Sequence, residues 1–143
     1  MASTNENAVK LSESLNALRN DKTSPVSWIS IECVSREEVH FSASGNDEDL
    51  TKLAQLLKNE EVQFALVRLT TVPQDGQSGI RDMNITWTGP NAGLLKKRKG
   101  YEVQDTVEGL FGPYHAKVSV SNREKFDLNK YIYHLAMSEV WFG

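Results

Sequence analysis

Cysteine is almost absent from this 143-residue chain. Cys33 is the only one, so no intramolecular disulfide can form and a secreted scaffold built on disulfides is excluded. No apolar run approaches the length needed to span a bilayer. The first thirty residues show neither the apolar block of a secretion signal nor an Arg-rich amphipathic leader, so a cytoplasmic address is expected. An excess of positive charge is missing too: sixteen Lys and Arg stand against nineteen Asp and Glu, for a net charge of −3. Bulk attraction to nucleic acid or to an anionic membrane is therefore not expected, and an anionic partner has to be met locally.

The patterns that carry chemistry are equally scarce. His40, His115 and His134 share no ligand-like spacing with one another, with Cys33 or with a carboxylate, so no metal is expected. Gly76-Gln77-Ser78-Gly79 has no lysine and opens a strand instead of a helix, so its amides would not converge on a phosphate. A nucleophile elbow and a paired acid motif are also lacking. The expectation is a protein without catalysis and without a cofactor.

What is present is a regular alternation of elements. A chain of this length folds as one domain, burying roughly 68–70% of its unfolded surface. Ser3 and Glu6 offer a capping box, and Ala8, Leu11, Leu15 and Leu18 fall on one stripe of a helix ending near Asn20. Residues 26–34 form an apolar strand containing Cys33 as a buried thiol, and Val39, Phe41 and Ala43 alternate in a second. Leu50, Leu53, Ala54 and Leu57 mark a second helix.

Residues 62–71 read as a strand covered on both faces, and Asp75-Gly76 turns the chain into a fourth strand in which Met83, Ile85 and Trp87 make the apolar face. Asp82, Asn84 and Thr86 make its polar one. Gly89-Pro90 breaks the pattern, and a third helix is predicted over residues 92–110, with Leu94, Leu95, Val103, Val107 and Leu110 as core contacts. Gly100 should weaken it by about 1 kcal/mol relative to alanine. A fifth strand follows over residues 116–120, then a last helix carrying Phe126, Tyr131, Ile132, Leu135 and Ala136. Trp141 and Phe142 at the end either dock on the core or form an apolar tail for a partner.

This order predicts a single α/β domain with a mixed sheet and helices on both faces, because a strand reached through a helix can run parallel while the hairpins stay antiparallel. Lys96, Lys97, Arg98 and Lys99 put four of the sixteen basic residues into one helical turn. Leu94 and Leu95 place apolar surface beside them, and Arg81 on the fourth strand is expected at the same end of the sheet. A cationic surface with an apolar neighbour suits an acidic protein partner better than a nucleic acid.

The stretches VRLTT (residues 67–71), NITWTG (84–89) and AGLLKKRKG (92–100) resemble the middle of the coactosin-like proteins, within the ADF/cofilin-homology (ADF-H) family of actin binders. The likeness extends from residues 18–21 and 26–29 to residues 116–121, and covers about residues 10–135 in matching order. It implies a single ADF-H-like domain over residues 5–140, with residues 1–4 a flexible lead-in, and a central mixed sheet of five to six strands packed between helices.

The resemblance further implies a monomeric, cytoskeleton-associated protein that binds the sides of actin filaments and opposes capping without severing. The alternative is a cofilin-like protein that also holds monomeric actin and depolymerises or severs. Cofilin-like monomer binding uses a Met-x-Tyr-x-Ser type segment where this chain has residues 94–100, which sides with coactosin. Position by position, the family's filament site falls on Arg81 and on Lys96, Lys97, Arg98 and Lys99, with Arg123, Lys125 and Lys130 from the last helix. Relatives carry two more basic residues before the strand-four cation. Here Ser78-Gly79 stand there and Asp82 follows Arg81, so a weaker filament contact is expected at that point.

Overall fold

The computed structural model describes residues 2–20, 26–35, 38–45, 51–71, 79–114 and 116–121. Its elements are α1 (Ala2–Asn20), β1 (Val26–Ser35), β2 (Glu38–Gly45), α2 (Thr51–Leu56), β3 (Val62–Thr71), β4 (Gly79–Thr88), α3 (Leu94–Glu102), α4 (Gln104–Phe111) and β5 (Ala116–Val120). The five strands form one sheet in the order β2-β1-β3-β4-β5. All neighbours are antiparallel except β4 and β5. That parallel pair is reached through α3 and α4, as a parallel connection requires.

β3 is the central strand because its sequence allows nothing else. Every side chain from Val62 to Val67 is buried, the pattern of a strand covered on both faces. Phe64 and Leu66 join Leu11, Leu15 and Leu18 of α1 and Val103, Val107 and Phe111 around α4 in one cluster. Ala65 and Val67 face the other way, with Trp28, Leu53, Met83 and Ile85. Helices therefore cover both faces: α1, α3 and α4 one, α2 the other.

The polar face of β4 is inside the protein. Asp82 and Asn84 are 4% and 1% exposed and stand across from Arg68 and Leu66. Arg68 donates to both Asp82 oxygens, at 2.8 and 2.9 Å, and to the Arg19 carbonyl at 2.7 Å. The hydrogen bond to Asp82 holds the Arg68 guanidinium even more firmly charged than usual. Arg19 in turn donates to the carbonyls of Leu110 and Gly112, at 3.1 and 3.0 Å, which latches the end of α1 to the end of α4.

Several boundaries differ from expectation. α1 starts at Ala2, so Ser3 sits in its first turn instead of capping it, and residues 2–4 are helical where a flexible lead-in was expected. The helix predicted over residues 92–110 is two, bent at Val103, whose φ of −94° and ψ of 0° depart from helical values although its N–H still reaches the Lys99 carbonyl at 3.1 Å. Val103 is fully buried, in the cluster that also holds Val107 and Phe111. The last helix and the docking of Trp141 and Phe142 fall outside the described residues.

Removing one partner of the Arg68–Asp82 pair leaves a buried charge uncompensated, at about 3–5 kcal/mol. Asp82→Asn is expected to lower the stability measured by urea unfolding by about 3 kcal/mol. Gly100→Ala is expected to destabilise by about 1–2 kcal/mol despite alanine's better helix propensity, because the new Cβ would lie 2.7 Å from Val62 Cγ1 and overpacking of a stiff β-branched neighbour outweighs the propensity gain. A Gly100→Ala variant as stable as the parent would refute this.

Candidate functional site

The start of α3 is fixed from below by the turn that joins α2 to β3. Gln63, almost fully buried, accepts the Lys58 N–H at 2.8 Å and donates to the Leu56 carbonyl at 2.9 Å. Trp87 donates through Nε1 to the Lys58 carbonyl at 2.7 Å. Gly89 then donates to the Glu61 carbonyl at 2.8 Å, and Asn91 to the Asn59 carbonyl at 2.8 Å. A Cβ on Gly89 would stand 2.1 Å from the Asn59 carbonyl oxygen, so this strand exit can approach the turn only as glycine. The loop between β4 and α3 is thus bolted to the sheet before the helix begins.

α3 lies against β1 and β3 along its glycine. Gly100 is buried on Val62, and this contact turns the opposite side of the helix to solvent. Leu94, Leu95 and Tyr101 are 85%, 75% and 77% exposed, and Lys97, Arg98 and Lys99 are exposed with them. Leu94, Lys97, Arg98 and Tyr101 follow one another at helical spacing on a single face. Leu94 and Leu95, expected in the core, are instead turned out to solvent. Tyr101 was missed by the sequence reading, although its position seven residues after Leu94 puts it on the same stripe.

Among the four successive cations, Lys96 is set apart. Its ammonium is ion-paired with Glu61, and both side chains are partly exposed. No carboxylate among the described residues pairs with Lys97, Arg98 or Lys99. These three are left to shape the local field of an otherwise acidic chain.

Arg81 does not join them. Its backbone pairs with Leu69 near the start of β4, whereas α3 departs beyond Thr88, which pairs with Val62. Seven residues of strand separate the two ends, about 24 Å. The expectation of one shared end is therefore corrected: Arg81 and the α3 cations occupy opposite ends of the strand. Asp82, expected to weaken the Arg81 contact, is committed inward to Arg68. Arg123, Lys125 and Lys130 fall outside the described residues, as do His115 and His134.

Reactive groups that the structure does describe are kept apart. His40 stands across from Glu32 and Cys33 across from Val39, on alternate faces of the β1–β2 pair, so thiol and imidazole form no nucleophile–base couple. His40 meets Glu38 at 2.9 Å instead. Burial, with the Glu61 and Glu32 carboxylates adding to it, pushes the half-buried Cys33 thiol up to about 12. On α4, Glu108 accepts Lys117 Nζ at 2.7 Å, and that hydrogen bond holds its carboxyl below the usual range. No helix among the described residues is long and apolar enough to cross a membrane.

The sequence model of the family described as Cofilin/tropomyosin-type actin-binding protein matches residues 4–135. The chain belongs to this cofilin-type actin-binding family. Its mixed five-stranded sheet with helices on both faces is the ADF-H fold. Human coactosin-like protein, in a crystal structure, superimposes with a TM-score of 0.72 at 19% identity, over 89% of this chain and 93% of that one. Coactosin from Entamoeba histolytica gives 0.71 at 15%, over 89% and 91%. Cofilin from Streptomyces griseoflavus gives 0.71 at 11%, over 90% and 94%. At these identities the likeness concerns the ADF-H fold, which the two kinds of relative share equally. No curated protein matches the chain by sequence.

A thiol with its pKa raised from 9.0 to about 12 favours the folded state below pH 9, and that contribution is lost as pH rises from about 9 towards 12. Thiolate is the reactive form, so the folded protein at pH 8 is expected to react with Ellman's reagent far more slowly than the urea-unfolded chain, which should release one equivalent. Equal rates would refute the assignment.

Proposed function

We propose that this ADF-H protein binds the sides of actin filaments in the coactosin manner, opposing capping rather than severing. In this reading it acts as a monomer in the cytoplasm, without catalysis. The observation that carries the reading is the exposed stripe of α3, in which Leu94, Lys97, Arg98 and Tyr101 share one face. Its Leu94-Leu95-Lys96-Lys97 sequence, without the Met-x-Tyr-x-Ser type segment, supports the coactosin manner over a monomer-holding one.

Magnitudes say which part of the stripe matters. Exposed ion pairs are worth about 0.2–1 kcal/mol each, so three cations supply roughly 1–3 kcal/mol, while a micromolar complex needs about −8 kcal/mol. Burying a Leu side chain contributes about 1.5–3 kcal/mol. The apolar members therefore supply most of the affinity, and the cations orient the approach to an acidic surface. Arg81, about 24 Å away along β4, makes a second and separate point of contact.

Three co-sedimentation outcomes are expected with polymerised actin. Lys97→Glu with Arg98→Glu weakens pelleting roughly tenfold at low salt, leaves the melting temperature unchanged, and loses most of its effect at high salt. Leu94→Ala weakens it by a similar factor at every salt concentration. Arg81→Glu adds its own loss to that of the helix variant, as distant sites do. Unchanged pelleting of both α3 variants would overturn the assignment of the surface. Tight binding of monomeric actin in a parallel titration would overturn the coactosin manner.

A further inference from the structure

On its sheet-facing side α3 covers a cleft of about 360 Å³ whose interior the filament reading does not use. Val62, Phe64 and Val120, all under 10% exposed, give it an apolar interior. Lys97 and Tyr101, both exposed, stand at its mouth. Thr86 also lines it, and the Thr86 hydroxyl oxygen, although shielded from solvent, has no hydrogen-bond partner among the described residues. A hidden hydroxyl left unmatched is costly, and here it borders empty space large enough for a small molecule.

We propose that this cleft is a binding site for a small aromatic carboxylate carrying one further hydrogen-bonding substituent. Each part of that description answers one part of the wall. A flat ring fills the space between Val62, Phe64 and Val120 and gains an aromatic neighbour in Tyr101. The carboxylate meets Lys97 in a charge-assisted contact at the mouth. The substituent, a phenolic hydroxyl for instance, satisfies Thr86. Inorganic phosphate would leave the apolar interior unused, and a neutral hydrocarbon would leave Thr86 unmatched. A divalent cation is disfavoured, because no carboxylate among the described residues lines the cleft.

Amide-resolved NMR titration of the full chain in the absence of actin, with 3-(4-hydroxyphenyl)propanoate as the probe, tests the site without reference to the filament reading. Saturable shifts are expected around Val62, Gly100, Tyr101 and Val120, with a millimolar dissociation constant in keeping with so small a ligand. Lys97→Gln is expected to weaken binding about fivefold. Thr86→Val, which keeps the shape and removes the unmatched hydroxyl, is expected to weaken it by roughly threefold while the melting temperature holds or rises. The matching alcohol, 3-(4-hydroxyphenyl)propan-1-ol, should bind about as weakly as the acid binds the Lys97→Gln variant. Absence of saturation, equal affinity for both variants and the parent, or the same shifts with inorganic phosphate alone would each overturn the proposal.

Discussion

The contact between Gly100 and Val62 governs where every group on α3 ends up. Helix axes normally stand off a sheet by the width of their side chains, and here one residue has none. α3 settles onto β3 at that point, and Gly100 is its one buried residue. The remaining positions have no core to enter. Leu94, Leu95 and Tyr101 are exposed because the helix is seated on the sheet through a single glycine, a contact too narrow to hide them. The Gly89 approach to the Asn59 carbonyl does the same for the preceding loop, so both entry and seating of the helix are decided by missing side chains.

Charge is distributed by the same economy. The chain is net acidic, yet several of its positive groups are already taken up by partners of their own. Arg68 is used by Asp82 and by the end of α1, Arg19 by the end of α4, Lys117 by Glu108 and Lys96 by Glu61. Lys97, Arg98 and Lys99 stand together on α3 with no carboxylate among the described residues to take them up. Local surplus, rather than overall charge, gives this surface its sign.

The strands were legible in the sequence because their signals are local. Val62–Thr71 was bounded to the residue, since an almost continuous apolar and β-branched run, broken only by Gln63 and Arg68, fits a strand covered on both faces. The seating of α3 was not legible, because Leu94 and Leu95 read as core on hydrophobicity alone and only the depth of the Gly100 contact shows that they cannot reach it. The bend at Val103 was not legible either, because Val103 reads as an ordinary core position of one continuous helix. Arg81 was misplaced for a topological reason: β4 spans the sheet, and a residue at its start lies far from whatever follows its end. The inward turn of Asp82 depended on the register that sets it opposite Arg68, which no single strand reveals.

The parallel pairing of β4 with β5 constrains the sequence of events during folding. The hairpins β1–β2 and β3–β4 join neighbours in the chain, while β5 must wait for the whole of α3 and α4 to be laid across the sheet before its partner is in reach. Long-separation contacts of this kind are entropically late. Pairing of β1 with β3 spans as much of the chain, so the exposed stripe is carried by a segment that only an assembled sheet holds in place. A nascent or partly melted molecule in which α3 and α4 are not yet laid down lacks Val103, Val107 and Phe111 from its interior as well as the stripe from its surface.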